Sequence, residues 1–193
     1  MLYQLAKFVV SILFFPFYRI KVTGKHHIPK EGPVIICTNH ISNLDPPVVG
    51  ITVSRTVHFM AKEELFEGNF LGGLLRRIHA FPVKRGLADR NALRSGLKIL
   101  EDGKVLGLFP EGTRSKDGKP GKALPGVGFF ALRSQAEVVP CVIISDYKLF
   151  RRTKVVYGKP MDVASFRSNK ASAKEMSEGI MEEIRNLYEI HKN

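Results

Sequence analysis

Short apolar runs alternate with amphipathic segments through most of this chain, and this alternation restricts the possible folds more than any other feature. The runs at 34–38, 57–61, 80–83, 105–109 and 138–145 have the length and composition of buried strands. Helical periodicity is clearest between and after them, at 89–103 and 172–191. We therefore predict an α/β fold with a largely parallel central sheet flanked by helices. In such sheets the loops beyond the carboxyl ends of the strands line the binding crevice.

The first of these loops places a histidine and an aspartate five positions apart. The strand at 34–38 leads into 39–45, NHISNLD, and a proline pair follows. Because neighbours on one helix face lie three or four residues apart, His40 and Asp45 can meet only if the chain between them turns. We expect Asp45 to be the N-cap of a helix with Pro46 at its first position. Either Asp45 holds His40 as a general base, or this is an ordinary junction with a capping aspartate and a surface histidine.

The pattern of the amino-terminal segment, residues 1–20, predicts an amphipathic helix. Its apolar stretch is too short to span a bilayer, which needs about 20 residues. Gln4, Lys7 and Ser11 form one narrow polar stripe on an otherwise apolar helix. We predict a membrane-interface helix at 1–20, followed by a single domain at 21–193. The alternative is a helix that belongs to the core of that domain.

The charge balance indicates an anionic partner. The chain has 30 Lys and Arg against 18 Asp and Glu, which gives a formal net charge of +12. Nucleic acid, an anionic membrane and a phosphorylated substrate all satisfy this balance. No zinc finger, helix-turn-helix or aromatic stacking motif is present in the sequence, so we expect no nucleic-acid partner.

Proline and cysteine in the apolar runs predict structural roles. Pro140 lies inside the run at 138–145, and a proline cannot donate to a strand ladder, so we predict an edge strand or an irregular point there. Cys37 and Cys141 both lie in apolar runs and are expected to be buried thiols. Cysteines and histidines show no metal-ligand spacing, so we expect no metal site.

Two cations directly follow the short strand at 80–83. Lys84 and Arg85 are either part of a solvated basic turn or a clamp for a phosphate group. A phosphate-binding role has a physical basis, because a guanidinium matches phosphate oxygens in a bidentate geometry.

The loop at 109–115, FPEGTRS, is the most specific polar segment of the chain. Gly112 allows the backbone to approach a ligand closely. The Thr113 and Ser115 side chains and nearby amides can donate to a phosphate or a developing oxyanion, and Arg114 adds positive charge. Glu111 is expected either to orient a basic side chain or to accept from a substrate hydroxyl.

Taken together, these blocks resemble the glycerophospholipid acyltransferase family, most of all its bacterial members that act on 1-acyl-sn-glycerol-3-phosphate. The family's HX4D block stands at 39–45, and its FPEGTRS block is matched in full at 109–115. The arginine that ends its second block is Arg85, and its proline within an apolar strand is found at 139–140. Many members carry an acidic residue where this chain has Lys84.

The resemblance implies transfer of an acyl chain from a thioester donor to the 2-hydroxyl of 1-acyl-sn-glycerol-3-phosphate, which produces phosphatidic acid without a cofactor. The donor is acyl-coenzyme A or acyl carrier protein. His40 and Asp45 are implied as the catalytic pair. The implied substrate-binding residues are Arg85, Glu111, Gly112, Thr113 and Arg114, to which the loop chemistry adds Lys84 and Ser115. With the amino-terminal helix, the resemblance implies peripheral, monotopic docking on an anionic membrane at its cytoplasmic face.

Other functions remain open from the sequence. The same chemistry can act on glycerol-3-phosphate or another lysophospholipid. A thioesterase or lipid hydrolase would use water in place of the alcohol, although the expected phosphate-binding cations argue against it. A non-catalytic basic protein that binds membranes is compatible with the charge alone. We expect the apolar helical segment at 63–78 to contribute to an acyl-chain groove.

Overall fold

The computed structural model describes residues 2–84 and 89–193, and strands and helices alternate through them. The strands are β1 (Lys21–Thr23), β2 (Val34–Thr38), β3 (Val57–Lys62), β4 (Ala80–Val83), β5 (Val105–Leu108), β6 (Glu137–Ile144) and β7 (Lys154–Tyr157). The helices are α1 (Leu2–Phe17), α2 (Asp45–Thr52), α3 (Asn69–Arg77), α4 (Arg90–Glu101), α5 (Gly126–Arg133), α6 (Val163–Ser168) and α7 (Ala173–His191). Short 3-10 helices lie at Lys25–His27 and Glu63–Phe66.

These strands form one sheet in the order β1-β7-β6-β2-β5-β3-β4. Neighbouring strands are parallel at every position except β6 and β7, which are antiparallel. The strands from β6 to β4 therefore run in one direction, and their carboxyl ends meet at one edge of the sheet. The predicted α/β fold with a largely parallel sheet is confirmed.

The sheet is covered on both faces, which explains why β2 is apolar without interruption. Val34 and Ile36 point into a cluster that includes Val48 of α2 and Phe14 of α1. Ile35 and Cys37 point into the opposite cluster, which is built from α4, α5, α6 and α7. All five residues of β2 are buried, so this strand forms the centre of the core.

Helix α1 turns Tyr3 and Lys7 toward the protein and most of its apolar side chains outward. The Lys7 ammonium donates to the Val53 carbonyl, and the Tyr3 hydroxyl accepts from the Val57 amide at 3.1 Å. The exposed apolar side chains of α1 are Leu2, Leu5, Phe8, Val9, Ile12, Leu13, Phe15 and Phe17. Among the described residues, no helix combines the length and apolar character needed to cross a bilayer.

Two features of the fold differ from the prediction. Strand β6 lies inside the sheet, between β7 and β2, so of the two outcomes predicted from Pro140, an edge strand or an irregular point, the edge strand is wrong. The missing amide hydrogen is tolerated because the ladder with β7 begins one residue later, at Cys141. Helix α6 was not predicted, since its six residues bury only Val163 and carry little apolar signal.

Candidate active site

The two most specific loops of the sequence are joined directly in the structure. They follow β2 and β5, which are parallel neighbours, so both lie at the same edge of the sheet. The Glu111 side chain accepts from the His40 amide at 3.1 Å, and the His40 carbonyl accepts from the Ser115 amide at 2.7 Å. His40 is therefore held by the second loop through its backbone on both sides.

The His40 and Asp45 side chains meet, which is one of the two arrangements that the sequence leaves open. His40 Nδ1 lies 2.8 Å from Asp45 Oδ2. The same oxygen accepts from the amides of Ile41 and Ser42, each at 2.7 Å, so the loop wraps around the carboxylate. These bonds create the sharp turn that residues five apart require.

The expected capping role of Asp45 is wrong. Helix α2 has Leu44 at its N-cap and Asp45 as its first residue, which moves Pro46 to the second helical position. Were Asp45 the N-cap, the second helical residue would be Pro47, which has no amide hydrogen. The third, Val48, instead donates its amide to the Leu44 carbonyl at 3.0 Å. The carboxylate is instead turned back into the loop, where it reaches the imidazole.

Asp45 is fully buried, and four donors satisfy its carboxylate. Besides His40 and the two loop amides, the Tyr147 hydroxyl donates to Oδ1 at 2.7 Å. Burial, and then the nearby Asp45 charge, raise the pKa of the Tyr147 phenol, which keeps it a donor. A buried carboxylate requires such partners, because an unpaired one carries a large desolvation cost.

Tyr147 is not among the site residues predicted from the sequence. It lies 102 residues from Asp45 in the chain and belongs to no motif. One signal was available, since Tyr147 comes three residues after the end of β6, and β6 is a parallel neighbour of β2. Residues that follow the two strands therefore share the edge where the site lies.

The imidazole is fixed by stacking as well as by the carboxylate. The His40 ring lies 4.1 Å from the Phe109 ring, with 26° between their planes, and His40 is only 7% exposed. Because Nδ1 faces the carboxylate, Nε2 is the ring nitrogen left for a substrate hydroxyl. The ring also lines the large cavity described below.

Glu111 contacts backbone rather than a basic side chain. It is buried, and it accepts from the His40 amide and from the Gly121 amide. Burial raises the pKa of its carboxyl, although both amides oppose that shift. Through these two bonds, Glu111 connects the loop after β2 to the loop that follows 109–115.

The other residues of the second loop that were predicted to bind substrate have different surroundings in the structure. Gly112 has a φ of +64°, which favours glycine, and its amide donates to the Phe109 carbonyl at 3.0 Å in a tight turn. Thr113 is exposed and lines the cavity. Arg114 is exposed and is not among the cavity-lining residues, and the Ser115 hydroxyl donates to Asp117 at 2.8 Å.

The predicted cations after β4 are only partly described. Lys84 is exposed, lines the cavity and lies 3.7 Å from the Glu63 carboxylate. Its amide donates to Asp89, which is the N-cap of α4. Arg85 lies outside the described residues.

A cavity of about 1200 Å³ extends from His40 into the protein. Its lining is mainly apolar and includes Val10, Ile51, Met60, Leu75, Leu93 and Phe130. Leu75 and Ile78 come from the segment expected to form an acyl groove. A large apolar cavity with a few polar groups at one place is the usual form of a small-molecule site.

The described residues contain no group of three or more His, Cys, Asp or Glu side chains placed to bind a metal ion. Cys37 and Cys141 are free and buried, in agreement with the prediction. Burial raises the pKa of both thiols, that of Cys141 to about 12, so neither is poised as a nucleophile.

Residues 19–144 match the family model described as Acyltransferase, and this span contains both loops of the site. The chain therefore belongs to the acyltransferase family. It is similar to the 1-acyl-sn-glycerol-3-phosphate acyltransferase of Bacillus subtilis (strain 168), with 30% identity over 176 residues and 87% of each chain covered.

Two further similarities agree with this assignment. The 1-acyl-sn-glycerol-3-phosphate acyltransferase of Borreliella burgdorferi is 29% identical over 134 residues, which cover 68% of this chain and 54% of that protein. The crystal structure of the 1-acyl-sn-glycerophosphate acyltransferase PlsC from Thermotoga maritima superposes with a TM-score of 0.72 at 26% identity. That match covers 96% of this chain and 79% of the other.

Proposed function

We propose that this protein transfers a fatty acyl chain from a thioester donor to the 2-hydroxyl of 1-acyl-sn-glycerol-3-phosphate and so produces phosphatidic acid. One observation carries the proposal: the hydrogen-bonded pair of His40 and Asp45 lies beside a large apolar cavity. The similar proteins named for this reaction support the choice of acceptor.

His40 is the general base. Its Nε2 takes the proton from the acceptor hydroxyl while that oxygen attacks the thioester carbonyl carbon. The carbon–sulfur bond then breaks, and the proton passes from His40 to the leaving thiolate, which departs as a thiol. General-base catalysis of this kind contributes about 10²–10⁴-fold.

Asp45 and Tyr147 are positioning residues for that base. Asp45 holds the proton-bearing Nδ1 of His40 and stabilises the imidazolium that forms during transfer. Tyr147 fixes the other carboxylate oxygen, so the plane of the carboxylate is set from two sides. A second residue that orients the base in this way sharpens its alignment with the substrate.

The acceptor headgroup binds at the polar residues near His40. Lys84 and Thr113 line the cavity and offer an ammonium and a hydroxyl for the phosphate. Arg85 and Arg114 are proposed to add charge to the same group. Glu111 and Ser115 act through backbone bonds to His40, and the turn closed by the Gly112 amide shapes the second loop.

The cavity holds an acyl chain. Its lining comes from α1, α2, α3, α4 and α5, so the bound chain lies between the amino-terminal helix and the body of the domain. Either acyl-coenzyme A or acyl carrier protein is the donor, since both are anionic near the thioester and suit a chain with a net charge of +12.

Helix α1 docks the domain on the membrane. Its exposed apolar side chains have no cover among the described residues, while Lys7 and Tyr3 are used for contacts with Val53 and Val57. An outward apolar face on a short helix is typical of monotopic membrane binding. We place the protein at the cytoplasmic face of an anionic membrane.

An assay of acyl transfer tests the proposal. Wild type and His40→Ala are incubated in detergent micelles with each donor and with 1-acyl-sn-glycerol-3-phosphate, glycerol-3-phosphate or no acceptor. We expect phosphatidic acid from wild type only. Free fatty acid formed equally fast without acceptor would identify a hydrolase instead. A preference for glycerol-3-phosphate would move the function to a different acyltransferase.

A further inference from the structure

The loop that joins β6 to β7 carries a second exposed apolar element. We call residues 148–152, KLFRR, the β6–β7 tip. Leu149 is 59% exposed and Phe150 is 63% exposed, although large apolar side chains are normally covered. No family motif includes this segment, and it lies outside the cavity.

The tip is continuous with the apolar face of α1. The Phe150 amide donates to the carbonyl of Phe17, the last residue of α1, at 2.6 Å. The rings of these two residues lie 5.7 Å apart, and Phe17 is itself 40% exposed. The tip therefore extends the exposed apolar surface beyond the carboxyl end of the helix.

Cations flank the two apolar side chains. Lys148 and Arg152 are exposed on either side of them, and Arg151 pairs with Asp146 at 3.4 Å. Arg19, which follows α1, is exposed, and the carbonyl of its neighbour Tyr18 accepts from the amide of Thr153, directly after the tip, at 3.0 Å. Apolar side chains that insert among acyl chains, with cations at headgroup level, match an anionic lipid surface.

We propose that the β6–β7 tip inserts into an anionic phospholipid bilayer and is a second docking element beside α1. The proposal rests on the membrane docking of α1 proposed above. A single short apolar helix gives reversible binding, and a second contact at its end fixes the domain in one orientation.

A tryptophan probe tests insertion directly, because the chain contains no tryptophan. Phe150→Trp reports from the tip. Ile190→Trp is the matched control, since Ile190 is 72% exposed on α7, which packs on the opposite face of the sheet from α1. With vesicles of phosphatidylglycerol and phosphatidylcholine, we expect a blue shift and quenching by brominated acyl chains for Phe150→Trp alone. The same response at both positions, or at neither, would overturn the proposal.

Affinity variants separate the apolar and charged contributions. Leu149→Ser with Phe150→Ser is expected to lower partitioning into these vesicles by about tenfold. Lys148→Gln with Arg152→Gln is expected to lower it by about tenfold on anionic vesicles, and to leave binding to phosphatidylcholine alone unchanged. Wild-type partitioning in both double variants would show that the tip does not bind membranes and fits a protein partner instead.

Activity in detergent keeps this inference distinct from the proposed function. With acceptor dissolved in micelles, the tip variants should retain wild-type turnover, because they do not touch the catalytic pair. If wild type shows no acyl transfer, the proposed function fails whatever the tip does. If the tip variants lose turnover in micelles and keep wild-type partitioning into vesicles, the tip acts on the site instead, and the docking proposal is wrong.

Discussion

Replacing Tyr147 with phenylalanine removes one hydroxyl and leaves the ring, so it isolates the hydrogen bond given to Asp45. Oδ1 of a fully buried carboxylate then loses its donor. A hydrogen bond to a charged group contributes about 1.5–3 kcal/mol to stability. We expect that loss in the free energy of unfolding, which for a domain of this size lowers Tm by about 3–12 °C.

The catalytic effect of Tyr147→Phe is expected to be smaller than its effect on stability. The bond to Asp45 is present in both the ground state and the transition state, so only the part that strengthens as the imidazolium forms affects kcat. We expect kcat to fall about threefold to tenfold, or roughly 0.7–1.4 kcal/mol, with little change in KM.

Tyr157→Phe is the matched control. Tyr157 is also buried, and its hydroxyl lies 2.6 Å from the Thr52 hydroxyl, away from the catalytic pair. That bond joins neutral groups, so its loss costs about 0.5–1.5 kcal/mol and should leave kcat unchanged. Steady-state kinetics in micelles and thermal denaturation of both variants check the prediction. An unchanged kcat in Tyr147→Phe, with stability lost, would refute the positioning role.

The pH dependence of the same bond follows from the direction of the shift. Burial, and then the Asp45 charge, raise the pKa of Tyr147 in the folded protein above its unfolded value of about 10. Its contribution to stability is therefore fully present below about pH 10 and is lost as pH rises further. The stability difference between wild type and Tyr147→Phe should be constant at neutral pH and shrink only in strong alkali.

Three further results are expected. Glu111→Gln keeps one acceptor oxygen for the His40 amide but turns an NH2 group toward the Gly121 amide, which loses its acceptor. Because a buried donor without a partner costs about 1–3 kcal/mol, urea titrations at pH 7 should show a free energy of unfolding lower than that of wild type by an amount in this range, and an unchanged value would contradict the role of Glu111 in connecting the two loops. Leu5→Ser with Ile12→Ser should weaken vesicle binding without lowering Tm, since both side chains are exposed. Cys37 and Cys141 should resist alkylation until the protein unfolds, because burial raises the pKa of each thiol; rapid labelling of native protein would contradict their placement.

The parts of the fold that were predicted well are those that the apolar pattern determines. Strands β2 and β4 begin and end as expected, because continuous apolar residues stop at polar or turn residues on both sides. The contact of His40 with Asp45 was predictable in the same local way, from the turn that separates them. In these cases interactions between residues close in the sequence are sufficient to predict the structure.

The parts that were missed depend on contacts between distant segments. Tyr147 was not expected at the site, because it reaches Asp45 from the segment after β6, 102 residues away in the chain. Pro140 was expected at an edge or an irregular point, and its strand is in fact interior, with the ladder to β7 beginning only after the proline. Neither outcome can be read from adjacent residues, because each depends on which strands lie side by side.

The central claim is that His40 and Asp45 act as one unit in acyl transfer, and a double-mutant cycle tests it most directly. The kcat of wild type is compared with those of His40→Ala, Asp45→Asn and the double variant, each checked for folding by circular dichroism. If the pair acts as a unit, removing His40 costs about as much as removing both, so the effects are far from additive. Additive losses, or near wild-type activity in Asp45→Asn, would show that the two side chains work independently.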